Sequence, residues 1–150
     1  MSLSVVIPCY QSESSLPLLV DELVRVLAIH ADEFEVILVN DGSSDRTWDL
    51  ICDLSREYDT IVGIDLTRNF GQHNALFMGY EACRYEIVVT MDDDLQHPPD
   101  QLEYLLKALT ERVDVVYGVP NARQHGFLRN VASVVIRKVI EVTLGANFSG

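Results

Sequence analysis

Short apolar segments alternate with amphipathic segments along the whole chain, and this alternation constrains the fold more than any other sequence feature. The apolar segments are rich in Val and Ile and have the length of buried strands. The segments between them carry apolar residues at helical spacing. The predicted strands are 3–8, 34–40, 61–66, 86–90 and 113–119. The predicted helices are 13–30, 45–58, 71–84, about 98–110 and about 127–144. This order predicts an α/β domain with a Rossmann-like, mostly parallel sheet and helices on both faces.

Two of the predicted helices carry more specific expectations. Ser43 or Ser44 is expected to cap the N-terminus of the second helix through its hydroxyl group. In the third helix, the spacing predicts that the apolar side chains point towards the sheet. These side chains are Leu76, Phe77, Tyr80 and Cys83.

Length and charge limit the class of protein. A chain of 150 residues with 48% hydrophobic residues, and with no repeat or linker, suits a single domain over 1–150. The net charge of −12 argues against DNA or RNA as a partner, because phosphate contacts need clustered Lys and Arg. Cys9, Cys52 and Cys83 form no C-x-x-C pair, so we interpret them as buried thiols.

Unusual residues follow four of the predicted strands directly. In open α/β sheets, ligands bind outside the carboxyl ends of the strands. The sequence therefore predicts one shared ligand site built from these four segments. They are Pro8-Cys9-Tyr10, Asn40-Asp41-Gly42, Thr67-Arg68-Asn69 and Asp92-Asp93-Asp94.

The acidic run after the fourth strand predicts a metal site. Side chains alternate along extended backbone, so Asp92 and Asp94 are expected to point to one side and Asp93 to the other. Two carboxylates, with the Gln96 amide oxygen as a third donor, suit Mg²⁺ or Mn²⁺. The alternative is a solvated acidic loop before a helix N-terminus.

Three further residues are candidates for contacts to a nucleotide. Asp41 is placed to accept the imide N–H of a pyrimidine base. Tyr10 either stacks on a base or packs on the core, and Glu13 either contacts a ribose or serves as a first-turn acid. The chain has no G-x-G-x-x-G after its first strand and no G-x-x-x-x-G-K-[ST], which argues against a dinucleotide fold or a P-loop.

Basic residues concentrate late in this acidic chain. Arg123 and Arg129 are the candidates for gripping a phosphate through their guanidinium groups. The alternative is a solvated helix face.

Taken in order, the strand-end segments resemble family 2 glycosyltransferases of the GT-A fold, most of all the branch that loads sugars onto polyprenyl phosphate. The similarity extends over essentially the whole chain. It is carried by Val5-Val6-Ile7-Pro8-Cys9-Tyr10, Val39-Asn40-Asp41-Gly42-Ser43-Ser44-Asp45-Arg46-Thr47, Arg68-Asn69-Phe70-Gly71 and Met91-Asp92-Asp93-Asp94-Leu95-Gln96-His97-Pro98-Pro99.

The resemblance implies roles for most of these residues. Asp92 and Asp94 match the metal ligands of the family's D-x-D motif, and Gln96 matches a third ligand of the polyprenyl branch. Asp93, which stands where the family often has Ala, is grouped with the nucleotide-binding set. Pro120 stands where an arginine is common, so Arg123 is expected to take over that phosphate contact. The nucleotide-binding positions are matched by Pro8, Tyr10, Glu13 and Asp41.

The resemblance also implies an activity. We expect a metal-dependent hexosyltransferase that moves a sugar from a nucleotide-sugar to undecaprenyl or dolichyl phosphate at the cytoplasmic side of a membrane. The alternatives are transfer to a hydroxyl group of a growing glycan and a non-catalytic nucleotide-sugar-binding fragment. The family continues beyond position 150, so we expect further acceptor-site and membrane segments to be missing from this chain. The chain itself would then be soluble and would bind the donor without turnover.

Overall fold

The computed structural model of the chain describes residues 1–96, 99–110 and 112–118, together with the backbone of 133–137. These described residues form six strands, four α-helices and one 3₁₀ turn. The strands are β1 (Ser2–Cys9), β2 (Glu33–Asn40), β3 (Ile61–Asp65), β4 (Ile87–Thr90), β5 (Val115–Gly118) and β6 (Ser133–Arg137). The helices are α1 (Leu16–His30), α2 (Thr47–Glu57), α3 (Gln72–Glu81) and α4 (Leu102–Ala108), and the 3₁₀ turn is Pro99–Gln101.

The strands form one sheet in the order β3-β2-β1-β4-β6-β5. β1 pairs in parallel with β2 and β4, and β2 pairs in parallel with β3. β6 lies between β4 and β5 and is antiparallel to both. The sheet is therefore mostly parallel, as predicted.

Helices cover both faces of this sheet. On one face, α1, α2 and α4 pack on alternate residues of β1 and β2 to form the larger core. On the other face, α3 packs against β1 and β2 around Val6, Ile37, Val39 and Ala75. The central strands are hydrophobic on both faces because both faces are buried.

The prediction of a helix over about 127–144 is wrong at its centre, because residues Ser133–Arg137 form β6. The segment contains Val134, Val135 and Ile136 in succession, and β-branched residues favour extended backbone. As a strand the segment hydrogen-bonds on both sides, to β4 and to β5. The rest of the predicted helix lies outside the described residues.

Two local predictions are also wrong. Phe77 is 47% exposed, because Ala75 and Gly79 occupy the buried face of α3, and a residue two positions from each points away from that face. Neither serine caps α2: the Oγ atoms of Ser43 and Ser44 accept hydrogen bonds from Gln11. The carboxylate of Asp45 accepts the N–H of Thr47 instead, at 3.1 Å.

Within the described part of the chain, no helix combines the length and the apolar character needed to cross a bilayer.

Candidate functional site

The topology creates a crevice at one edge of the sheet. From β1 the chain moves to β2 on one side, and later it returns to β4 on the other side of β1. The loops that follow β1 and β4 therefore diverge in opposite directions, which is the arrangement that opens a ligand site in sheets of this type. Because β1 to β4 are parallel, their carboxyl ends and the loops that follow them meet at the same edge.

A cleft of about 330 Å³ opens at this edge. Its volume is that of a small-molecule site. Six of the predicted site residues line it: Pro8, Tyr10, Asp41, Asp92, Asp93 and Asp94. Cys9, Asn69, Gly71 and Gln72 complete the lining.

Asp41 is buried at the base of the cleft and holds the loop that follows β3. The residue is only 3% exposed. Its Oδ1 accepts the N–H of Phe70 at 2.7 Å, and its Oδ2 accepts the N–H of Gly71 at 2.9 Å. Each carboxylate oxygen can accept more than one hydrogen bond, so these contacts are compatible with a further donor from a ligand.

Asp93 connects the two loops that flank the crevice. Its Oδ2 accepts the N–H of Tyr10 at 3.1 Å and also the hydroxyl of Ser12. These contacts hold the loop after β1 against the loop after β4. Next to them, Gln11 adopts a positive φ of 55°. Tyr10 remains 49% exposed, with its ring available to a ligand.

The two predicted metal ligands line the cleft with different local partners. Oδ1 of Asp92 accepts a hydrogen bond from Nε2 of Gln72 at 2.8 Å. Oδ1 of Asp94 accepts the backbone N–H of Gln96 at 3.0 Å. Gln96, the predicted third ligand, is exposed and does not line the cleft.

Glu13 lies beside the cleft, outside its lining. Its Oε2 accepts the backbone N–H of Arg46 at 3.0 Å, directly before α2. The N–H of Glu13 in turn donates to Oδ2 of Asp45 at 3.3 Å. The pair of contacts fixes the start of α1 to the start of α2.

Cys9 closes the floor of the cleft. It is fully buried, and this burial raises the pKa of its thiol well above the ordinary value, with the Asp93 charge acting in the same direction. The thiol is therefore protonated at neutral pH. A buried, protonated Cys9 suits packing rather than nucleophilic chemistry.

The charge of the cleft restricts what can enter it. Of the ten described residues that line it, four are Asp and none is Lys, Arg or His. A diphosphate would be repelled by these carboxylates unless a cation lay between them. Among the described residues, those of the cleft included, no group of three or more His, Cys, Asp and Glu side chains is placed to hold a metal ion by itself.

The structure brings together most of the predicted site and adds the polar residue Gln72 to it. The predicted phosphate ligands Arg123 and Arg129 lie outside the described residues. Asn69, from one of the four predicted strand-end segments, also lines the cleft, and so does Gln72, to which the sequence assigned no role. The position of Gln72 shortly after β3 was a usable signal, because the carboxyl end of that strand meets the same edge.

The sequence matches the family model of glycosyl transferase family 2 over residues 4–141. The chain is 38% identical over 147 residues to the undecaprenyl-phosphate 4-deoxy-4-formamido-L-arabinose transferase of Aeromonas hydrophila subsp. hydrophila. That match covers 97% of this chain and 45% of the relative. The chain thus spans about half the length of the curated relatives that it matches.

Two solved structures share the fold. The mannosyltransferase PcManGT from Pyrobaculum calidifontis, in complex with GDP-Man and Mn²⁺, superposes with a TM-score of 0.68 at 21% identity, over 95% of this chain and 46% of the other. S. aureus TarS in complex with UDP-GlcNAc superposes with a TM-score of 0.60 at 20% identity, over 86% of this chain and 37% of the other. Fold, strand-end residues and sequence agree, and the chain belongs to glycosyl transferase family 2.

Proposed function

We propose that this chain forms the donor-binding part of a metal-dependent glycosyltransferase. The enzyme moves a sugar from a nucleotide-sugar to a polyprenyl phosphate at a membrane surface. The observation that carries the proposal is the convergence of Tyr10, Asp41, Asp92 and Asp94 in one cleft at the carboxyl edge of the sheet. The acceptor class is supported by the name of the Aeromonas hydrophila relative, an undecaprenyl-phosphate sugar transferase.

The donor set at the cleft fits a hard divalent cation that is completed by its substrate. Asp92 and Asp94 supply carboxylate oxygens, the ligands that Mg²⁺ and Mn²⁺ prefer. Mg²⁺ is usually held by one or two carboxylates together with substrate phosphates, rather than by a cage made of protein alone. A cation held by Asp92 and Asp94 would follow that pattern, with substrate phosphates as further ligands.

The acidity of the cleft supports the same assignment. Four Asp side chains favour entry of a cation and oppose entry of a bare diphosphate. A nucleotide diphosphate and a divalent cation would therefore bind together. When bound, the cation neutralises negative charge that develops on the departing diphosphate.

The protein groups divide the remaining tasks. Tyr10 offers an exposed aromatic ring on which a base could stack. Asp41 holds the loop after β3 in place through two hydrogen bonds. Asp93 holds the two loops at the crevice in register. A phosphate acceptor is already ionised near neutral pH, so the reaction needs less help from a general base than transfer to a hydroxyl does.

Calorimetry with a panel of nucleotides tests this proposal. UDP, GDP, CDP and dTDP are titrated into the chain with Mn²⁺ and with EDTA. We expect one nucleotide to bind, with an affinity at least about tenfold higher in Mn²⁺, because the cation screens the carboxylates. Asp94→Ala should remove this gain.

The matched control is Asp100→Ala. Asp100 is an exposed carboxylate on the 3₁₀ turn, so this variant removes the same charge away from the cleft. It should bind nucleotide as the wild type does. Absence of binding for all four nucleotides, in a chain shown to be folded, would refute a working donor site.

A further inference from the structure

We propose that Gln72 is a positioning residue that couples the nucleotide side of the cleft to its cation side. It does so through the loop of residues 68–72, here called the bridging loop. The inference rests on the proposed function and deepens it. It concerns how occupancy of one part of the donor site is sensed by the other.

The nucleotide end of the bridging loop is held by Asp41. Both carboxylate oxygens of this buried residue accept consecutive backbone N–H groups, from Phe70 and from Gly71. The loop after β2 also touches the bridging loop backbone to backbone. A Cβ atom on Gly42 would lie 2.3 Å from the carbonyl carbon of Arg68. A ligand that contacts Asp41 therefore contacts the group that sets the position of this loop.

The cation end of the bridging loop is held by Gln72. Its Nε2 donates to Oδ1 of Asp92 at 2.8 Å. Gln72 is the first residue of α3, directly after Gly71. The amide is neutral, so it orients the Asp92 carboxylate without cancelling the charge that a cation requires. A Lys or Arg at this position would orient Asp92 and also neutralise it.

These contacts form one continuous path of hydrogen bonds and covalent bonds, from Asp41 through Gly71 and Gln72 to Asp92. A ligand that orders one end of the path lowers the cost of ordering the other end. The resulting coupling is reciprocal: the nucleotide raises the affinity for the cation by the same factor by which the cation raises the affinity for the nucleotide. Charge screening contributes to the same coupling, and Gln72 adds the geometric part.

The test replaces the amide while keeping the length of the side chain. Gln72→Met cannot donate a hydrogen bond to Asp92, but it preserves an unbranched chain at the first position of α3. The affinities of UDP and GDP are measured by calorimetry with EDTA and with Mn²⁺. Mn²⁺ affinity is measured by electron paramagnetic resonance with and without the nucleotide that binds. These measurements need no turnover.

We expect Gln72→Met to reduce the gain in nucleotide affinity that Mn²⁺ provides by about tenfold, which is the usual effect of losing a group that orients a metal ligand. Nucleotide affinity in EDTA should change less than about twofold, because the contacts of Asp41 remain. The gain in Mn²⁺ affinity that the nucleotide provides should fall by the same factor.

The matched control is His73→Met. His73 is exposed, lies next to Gln72 in the first turn of α3, and makes no hydrogen bond recorded within the described residues. It should keep the full gain in nucleotide affinity from Mn²⁺.

Three outcomes would overturn the inference. If a nucleotide binds the wild type with Mn²⁺ and Gln72→Met keeps the full gain in affinity, the inference is wrong and the proposed function stands. Equal weakening with and without Mn²⁺ also overturns it, because that pattern indicates a general structural role. Absence of nucleotide binding by the wild type overturns both.

Discussion

Gly42 has no space for a side chain. It has a φ of 63°, and its Cα faces the backbone of the bridging loop. In Gly42→Ala, the new methyl carbon would lie 2.3 Å from the Arg68 carbonyl carbon and 2.5 Å from the Asn69 nitrogen. We expect a loss of about 4 kcal/mol in the free energy of unfolding, from backbone strain and overpacking together. Urea denaturation measures it.

Gly71→Ala separates these two causes. Gly71 has a φ of 90°, but a Cβ atom there would meet nothing within 4 Å. Only the backbone strain remains, so we expect a loss of about 2 kcal/mol. Equal losses in the two variants would show that the close approach of the loops at Gly42 is not the cause.

Asp45 makes the free energy of unfolding depend on pH in the acidic range. Burial alone would raise its pKa, but hydrogen bonds from the Thr47 hydroxyl, the Thr47 N–H and the Glu13 N–H outweigh burial and hold the pKa below its ordinary 3.8. The group therefore stabilises the fold above that value, and the contribution is lost as the pH falls through the lower pKa of the folded state. We expect Asp45→Ala to cost about 1 kcal/mol at neutral pH.

Asp45→Ala should lower the free energy of unfolding by less near pH 2 than at neutral pH, because the wild-type carboxyl is then being protonated. Urea denaturation of both proteins at the two pH values gives the difference. A cost that is constant or larger in acid would contradict the assigned role. Asp49→Ala serves as the control, since this first-turn acid of α2 has no recorded hydrogen bond to the cap within the described residues.

Residue types at strand ends were predictable, and their partners were not. Asp41, Asp92 and Asp94 could be grouped from the sequence because parallel strands end at one edge. The contact of Gln72 with Asp92 depends on the path of the bridging loop. So does the use of both Asp41 oxygens by backbone N–H groups. Loop paths follow from contacts distant in sequence, which periodicity does not encode.

At the level of whole elements, β6 shows where hydrophobic pattern fails. A short apolar run suits a buried strand and a buried helix alike. The segment around Val134 and Val135 becomes a strand because it pairs with both β4 and β5. Both partners lie earlier in the chain, so the pairing is a long-range effect. By contrast, α1 was predictable because its apolar residues recur at helical spacing. β1 was predictable because it is a short run rich in Val and Ile that has the length of a strand.

Glu35 fastens the opposite end of the sheet. This residue of β2 is 1% exposed, and its Oε1 accepts hydrogen bonds from the Ser4 hydroxyl and the Arg84 N–H, both at 2.6 Å. Its Oε2 accepts Nε of Arg84 at 2.7 Å. The contacts tie β1, β2 and the α3–β4 connection together. We expect Glu35→Ala to lower the free energy of unfolding by about 4 kcal/mol, because buried donors lose their acceptor.

Arg84→Ala is the matched comparison. The Arg84 side chain is 62% exposed, and its loss leaves Glu35 bonded to Ser4 and to the backbone N–H of residue 84. We expect a smaller loss of about 2 kcal/mol, because the buried carboxylate loses its charged partner but keeps two hydrogen-bond donors. Chemical denaturation of the two variants decides the point. A larger loss for Arg84→Ala than for Glu35→Ala would mean that the ion pair, and not the buried hydrogen bonds, holds this end.

Across the whole molecule, the two ends of the sheet have different tasks. The amino ends of β1 and β2 carry Ser4 and Glu35, which stabilise the fold. The carboxyl ends carry the acidic cleft, whose four Asp side chains are arranged by loops rather than by the sheet itself. This separation allows the cleft to be altered without loss of the scaffold.

Paramagnetic broadening of backbone amide signals by Mn²⁺ tests the position of the donor site most directly. The ¹⁵N-labelled chain is titrated with Mn²⁺ in the presence of the nucleotide that binds, with Mg²⁺ as the diamagnetic reference. We predict that the signals of Tyr10, Gly71, Asp92 and Asp94 are lost first, while those of Glu35 persist, because broadening falls steeply with distance from the ion. Broadening that begins at the Glu35 end of the sheet, or that affects all signals equally, would contradict a donor site at the carboxyl edge.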